Sequence, residues 1–325
     1  MFSPPLLTVP TAHNSLSNDR RKRYDNEARK NQWLSGKVAT MRWEGRRESA
    51  NVDDRRRASG PVMAGGGLGI IVLAVIIALL GGDPRALLQQ AGPGGPPQIG
   101  AGDGAQRPLD PDEERRGQFS KVVLADTEDV WTKLFADRKQ RYAPPTMVLF
   151  SNEVQSACGF ATAASGPFYC PGDQQLYLDT AFFRQLDEQL GAPGDFAQAY
   201  VIAHEVGHHI QNLQGTTDKL DQMRRRISEV KYNELSVRLE LQADFYAGVC
   251  LHHAQRMKDI LEPGDVEEAL RAAAAIGDDT LQKRSGRVVP ESFTHGTSDQ
   301  RLEWFTLGFR TGDLSKGDTF AAQAL

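Results

Sequence analysis

The alternation of apolar and polar residues divides this chain into unlike stretches. From Pro61 to Gly82 it carries 22 residues without a charged side chain, centred on the apolar run Leu68 to Leu80. As a helix rising ~1.5 Å per residue such a run reaches roughly 33 Å, enough for a hydrocarbon core about 30 Å thick, so residues 61–82 are predicted to form one transmembrane helix. Residues 83–117 follow, dense in Gly and Pro and almost without β-branched or aromatic residues. A stretch of that composition cannot bury a core and reads as a linker. Patterning resumes near Phe119. Helical spacing runs from Lys121 to Arg138, Met147 to Phe150 is a short strand, and residues 160–179 alternate through turn residues as strands do. Asp179-Thr180 stands as the cap of a helix to about Leu190, and Asp195 as the cap of another to about Gly215. Further helices are predicted over 217–258 and 264–276, with one more starting near Ser298. Strands early and helices late make residues 118–325 one α+β domain, with a small N-terminal sheet and a helical C-terminal half, preceded by the transmembrane helix.

Charge adds an orientation. The net charge of −4 offers no basic surface, so no nucleic-acid partner is expected. Residues 1–60 are nevertheless cationic, with 13 Lys+Arg against 7 Asp+Glu. Arg42, Arg46, Arg47, Arg55, Arg56 and Arg57 precede the apolar run, and only Arg85 lies within the next twenty residues. Cations stay in the cytoplasm, so residues 41–60 are predicted to be a cytoplasmic basic segment, the lipid bilayer a partner, and the domain extracytoplasmic. In an oxidising compartment Cys158 and Cys170, on either side of a predicted hairpin, are candidates for a disulfide worth about 3 kcal/mol. Two sulfurs without a neighbouring histidine fall short of a zinc site. Cys250 reads as a small buried apolar residue.

The helix predicted over 195–215 contains Ala203-His204-Glu205-Val206-Gly207-His208. Four residues advance a helix by about 400°, so His204 and His208 project from one face and can share a metal ion. Glu205 lies one step round, in reach of a metal-bound water, where metal-assisted hydrolysis needs its general base. A catalytic zinc site takes a third protein ligand. Downstream, Leu239-Glu240-Leu241-Gln242-Ala243-Asp244 places two carboxylates on one helical face. Glu240 can bind the metal while Asp244 accepts the outer N–H of a ligand histidine. Asp244 lies among Ala243, Phe245, Tyr246 and Ala247, where an unpaired carboxylate would be costly. Spacing alone does not separate Glu240 from Glu234. His209 points about 100° away from His208, towards a surface or core role. His252 and His253 are assigned to a helix surface.

The chain resembles the neutral zinc metallopeptidases, membrane-anchored bacterial proteins whose motif logic is that of the gluzincins. The resemblance is carried by Met41-Arg-Trp-Glu-Gly-Arg-Arg-Glu-Ser49, Ser156-Ala-Cys-Gly159, Gly166-Pro-Phe-Tyr-Cys-Pro171, Tyr177-Leu-Asp179, the His204 motif, Glu240-Leu-Gln-Ala-Asp244 and Ser292-Phe-Thr-His-Gly296. It implies Zn2+ as cofactor, His204, His208 and Glu240 as ligands, Glu205 as general base and a protein or peptide substrate. It also implies a zincin-like fold, a place in the bacterial inner membrane, and for His295 the role of the histidine that stabilises the oxyanion. Residues 1–40 match nothing in the family and read as an N-terminal extension, with Met41 the family's start. A cysteine that often follows the aspartate of the second motif is Phe245 here. The strand over Gln174 to Asp179 is a candidate edge along which an extended substrate pairs. The rival reading is a membrane-tethered zinc-binding scaffold without turnover.

Overall fold

The computed structural model describes residues 41–57, 108–162, 166–284 and 286–322. The predicted span 61–82, the extension 1–40 and most of the linker lie outside them. Among the described residues no helix is long and apolar enough to cross a membrane. Six strands and eight α-helices are described: β1 (Val52–Asp54), α1 (Pro111–Ala136), β2 (Thr146–Phe150), β3 (Glu153–Ser156), β4 (Gly159–Thr162), β5 (Phe168–Cys170), β6 (Gln175–Asp179), α2 (Phe182–Glu188), α3 (Asp195–Leu213), α4 (Thr216–Arg224), α5 (Glu229–Lys258), α6 (Asp265–Ala275), α7 (Asp278–Arg284) and α8 (Ser298–Thr311). The α+β class stands, with a small sheet and a helical remainder.

The sheet runs β1-β2-β6-β5. β1 and β2 are parallel, as are β2 and β6, whereas β5 is antiparallel to β6. Strand β2 shows why Met147 to Phe150 are all apolar. Met147 and Leu149 face the helices, in one core with Trp131, Phe196 and Tyr200. Val148 and Phe150 face the other way, against Val154, Ala161 and Cys170 of the β3–β4 hairpin and β5. A strand covered on both faces loses the alternation that marks a half-buried one. Cys158, at the turn of that hairpin, is joined to Cys170 by a disulfide with Cα atoms 5.8 Å apart.

Helix α3 runs through the middle of the core, packed on α5, α6 and α1, and α5 in turn packs along α8. Where α3 crosses α5 a Cβ on Gly207 would lie 2.9 Å from the Ala243 carbonyl oxygen. Only glycine allows the two backbones that close, and the approach brings the His204 motif against the Glu240 motif.

Four expectations are corrected. Residues 41–57, expected as a segment apart from the domain, are built into it: Met41 and Trp43 are buried in the main core, and Val52–Asp54 is a strand of the sheet. The linker is shorter than 83–117, because Asp110 caps α1 through the Glu113 N–H and Pro111 opens it. Its acidic first turn, Asp112 to Glu114, suits the helix dipole but reads in sequence as solvated chain. The helix over 217–258 breaks between α4 and α5, where Ser228 caps the second by accepting the Lys231 N–H. Asp195 is the first residue of α3, after Gly194; the cap comes from α6, whose Glu268 accepts the Phe196 N–H at 3.1 Å.

Candidate metal centre and cleft

His204 and His208 come from consecutive turns of α3 and Glu240 from the facing turn of α5, and one ligand atom from each lies within 4.8 Å of the others. Glu240 Oε2 is 3.3 Å from His204 Nε2, and its Oε1 is 3.5 Å from His208 Nε2. The other ring nitrogens are occupied. His204 Nδ1 donates to Asp244 Oδ1 at 2.8 Å, and His208 Nδ1 donates to Gln211 Oε1 at 2.9 Å. The direction of the second bond follows from Gln211 Nε2, which donates to the Leu239 carbonyl at 2.6 Å and so turns its oxygen to the histidine. Both Nε2 atoms therefore face Glu240. Two imidazoles and a carboxylate, with tautomers fixed from behind, are a donor set that fits zinc. Glu234, the other carboxylate that spacing allowed, is exposed and paired with Lys231.

Asp244 is fully buried and makes the contacts its apolar surroundings require. It accepts from His204, from the Tyr200 hydroxyl and from Arg301 Nη2 at 2.9 Å. Arg301 Nε lies 2.9 Å from Asp244 Oδ2, off line for a hydrogen bond and so an ion-pair contact. Arg301, buried on α8, also donates to the Tyr200 hydroxyl at 3.1 Å. Burial opposes ionisation of Asp244, but the Arg301 and His204 charges keep it below the ordinary range. Burial likewise opposes charge on His204, yet Asp244 and Glu240 raise it to about 10 in the metal-free protein. Glu240 is held well below its usual value against burial by His208 and His204.

Glu205 is 8% exposed and lines the cleft beside both histidines. Burial is the chief cause that raises its pKa, while the two histidines and the backbone N–H of Tyr169 pull it down. The cleft holds about 450 Å³. Phe168, Phe182, Val201, Ile276 and Leu281 form apolar walls, and His204, His208, Glu240 and His295 share it. Strand β5 is the sheet edge beside it; β6 is interior, between β2 and β5. The edge expected at Gln174 to Asp179 is thus corrected to Phe168–Cys170. Alternation marked both as strands, but only the pairing order shows which has a free side.

His295 also reaches the cleft, its side chain half-exposed. Asp278 accepts the backbone N–H groups of Thr294, His295 and Gly296 and meets His295 Nδ1 at 3.2 Å. That bond is the first cause raising the His295 pKa. His209 is a core residue: Nε2 donates to the Ala143 carbonyl at 2.7 Å, so Nδ1 accepts from the Tyr169 hydroxyl at 3.0 Å. It thereby fixes an aromatic wall of the cleft. His252 and His253, expected on a surface, instead bond the Phe309 and Gly312 carbonyls at the end of α8. Sequence reasoning missed Arg301, Asp278, Gln211 and Tyr200, although Tyr200, four residues before His204, and Gln211, three after His208, stand at the helical spacing that could have found them. Arg301 and Asp278 lie far from the motifs in sequence, and only packing of α7 and α8 brings them near.

Residues 41–320 match the model of the family described as "Putative neutral zinc metallopeptidase". Among curated relatives, the chain is 45% identical over 291 residues to the uncharacterized protein YpfJ of Escherichia coli K12, covering 86% of this chain and 99% of that one. It is 41% identical over 260 residues to the uncharacterized protein Rv2575 of Mycobacterium tuberculosis, covering 76% of this chain and 86% of the relative. No solved structure matches. With the match spanning both the N-terminal strand and the convergent His204, His208 and Glu240, the chain belongs to the neutral zinc metallopeptidase family.

Proposed function

We propose that this protein hydrolyses peptide bonds with zinc held by His204, His208 and Glu240. The observation that carries the reading is the convergence of those three groups, both histidines backed from behind, with an additional buried carboxylate, Glu205, beside them in an open cleft. Bound zinc would supply a water whose pKa falls to about 7 and polarise the scissile carbonyl. Glu205 takes the proton of the attacking water and hands it to the leaving amine; burial, by raising its pKa, makes it a better base than an exposed glutamate. His295, its Nδ1 held by Asp278 at the cleft, would offer its Nε2 to the developing oxyanion. An extended peptide pairs along β5, and the apolar walls favour an apolar side chain beside the scissile bond.

The test is Glu205→Gln in the full chain. Peptide hydrolysis is expected to fall 10²- to 10⁴-fold while zinc content stays unchanged. Turnover that survives the substitution would remove the proposed base and leave the zinc-binding scaffold as the better account.

A further inference from the structure

We infer that His209 and Asn212 are positioning residues: through the side chain of Tyr169 they hold strand β5 against α3, and so set the distance between the Glu205 carboxylate and the free edge along which a substrate pairs. This rests on the peptidase reading above and extends it to residues behind the cleft. Helix α3 presents two faces. His204, His208 and Gln211 carry the metal site, whereas Glu205, His209 and Asn212, at i, i+4 and i+7, form a second face that looks towards β5. Glu205 lines the cleft, and neither His209 nor Asn212 does. His209 is 1% exposed, so anything it does for the cleft it does from behind.

Strand β5 needs such a hold, because it has three residues and pairs with β6 alone. Phe168 and Cys170 turn to the hairpin side, where Cys170 is bonded to Cys158. Successive residues of a strand alternate, so Tyr169 turns the other way, onto α3. Its hydroxyl accepts from Asn212 Nδ2 at 3.0 Å and donates to His209 Nδ1 at 3.0 Å, and its ring meets the imidazole edge-on with centroids 5.4 Å apart. His209 Nε2 in turn donates to the Ala143 carbonyl at 2.7 Å. The hydroxyl both gives and takes a hydrogen bond, and both imidazole nitrogens are used. A network satisfied in this way holds one geometry, where apolar contacts alone could slide.

The backbone of the same tyrosine reaches the chemistry. Its N–H faces the Glu205 carboxylate, one turn before His209 on α3. In an antiparallel pair the N–H and C=O of one residue point together, alternately towards the neighbouring strand and away from it. With its N–H turned to α3 and not to β6, Tyr169 is the residue of β5 whose N–H and C=O both lie at the free edge. General base and substrate edge therefore meet at one residue, and the side chain of that residue is what His209 and Asn212 grip. A misplacement of 1 Å among reacting groups costs up to about 10²-fold in rate, so the grip bears on turnover without touching the metal.

The test uses the full chain as wild type, Tyr169→Phe, His209→Phe, Asn212→Leu and the double variant of the first two. Peptide kinetics, zinc content and hydrogen exchange of the segment containing residue 169 are read on each. Tyr169→Phe removes one oxygen atom and leaves α3 unaltered. Each single variant should lower kcat about 10- to 100-fold with zinc content unchanged. The double variant should be little worse than Tyr169→Phe, because the oxygen that His209 holds is already gone. Exchange of the residue 169 amide should rise about 10-fold in each variant as β5 loosens. Losses that multiply in the double variant, a fall in kcat that only follows a loss of zinc, or exchange in Tyr169→Phe as slow as in wild type would overturn the inference. A wild type that hydrolyses no peptide, with exchange responding as expected, would instead remove the peptidase reading and leave the hold on β5 standing.

Discussion

The buried Asp244–Arg301 pair is the contact on which stability and metal affinity can be separated. Both side chains are essentially without solvent exposure, and Asp244 is also the acceptor for His204 Nδ1. Removing one partner leaves a buried charge uncompensated, which costs about 3–5 kcal/mol, whereas replacing both by apolar residues of similar size is near neutral for the pair itself. Asp244→Leu and Arg301→Met should each destabilise by that amount. The double variant should be at least ~2 kcal/mol more stable than their sum, a coupling of the size found for contacting groups. It should not reach wild type, because the Tyr200 hydroxyl and His204 lose their acceptor, at about 1–3 kcal/mol per unsatisfied group. Zinc affinity should fall 10- to 100-fold in Asp244→Leu and stay low in the double variant, since nothing then orients His204. Urea unfolding and chelator competition read the two quantities. Additive destabilisation would refute the pairing, and unchanged zinc affinity in Asp244→Leu would refute the orienting role.

Other consequences can be checked independently. Gly207→Ala places a Cβ 2.9 Å from the Ala243 oxygen and should cost about 1–3 kcal/mol and weaken zinc binding by pushing α3 from α5; chelator competition that finds wild-type affinity would show that the crossing does not set the site. Replacing Cys158 and Cys170 by Ser opens a loop with a sequence separation of 12 and should cost about 3 kcal/mol in denaturant. His204, raised from 6.5 in the unfolded chain to about 10, lends the metal-free fold stability that is complete below pH 6.5 and lost as pH rises through about 10. Zinc must displace that proton, so uptake at neutral pH should release protons and tighten with rising pH; a calorimetric enthalpy independent of buffer would contradict this. His295→Ala and Asp278→Asn should lower kcat by up to 10²- to 10³-fold with KM little changed.

The site was more legible in the sequence than the body around it. A helix repeats every 3.6 residues whatever surrounds it, so His204, Glu205 and His208 announce one face, and Glu240 and Asp244 another. The disulfide was readable because the two cysteines lie only 12 residues apart, although Cys158 sits at the turn of the β3–β4 hairpin and Cys170 on β5 of the other sheet. Arg301 and Asp278 were not, since the partners of the first lie on other helices and those of the second in the loop before α8, and no local period records a tertiary contact. The packing of the basic N-terminal segment was not readable: Arg42 to Arg57 meet carboxylates on α1, on β1 and at the end of α5, contacts that no local pattern records. Its strand has only three residues, too short for alternation to register.

The most direct test of the account is the zinc content of the purified chain with residues 41–57 retained, because a fragment starting in α1 would lose β1, Trp43 and Arg56. The account predicts about one zinc per chain, kept in Glu205→Gln and weakened in Glu240→Ala. A folded protein that takes up no zinc when zinc is supplied, or holds it equally well without Glu240, would contradict it.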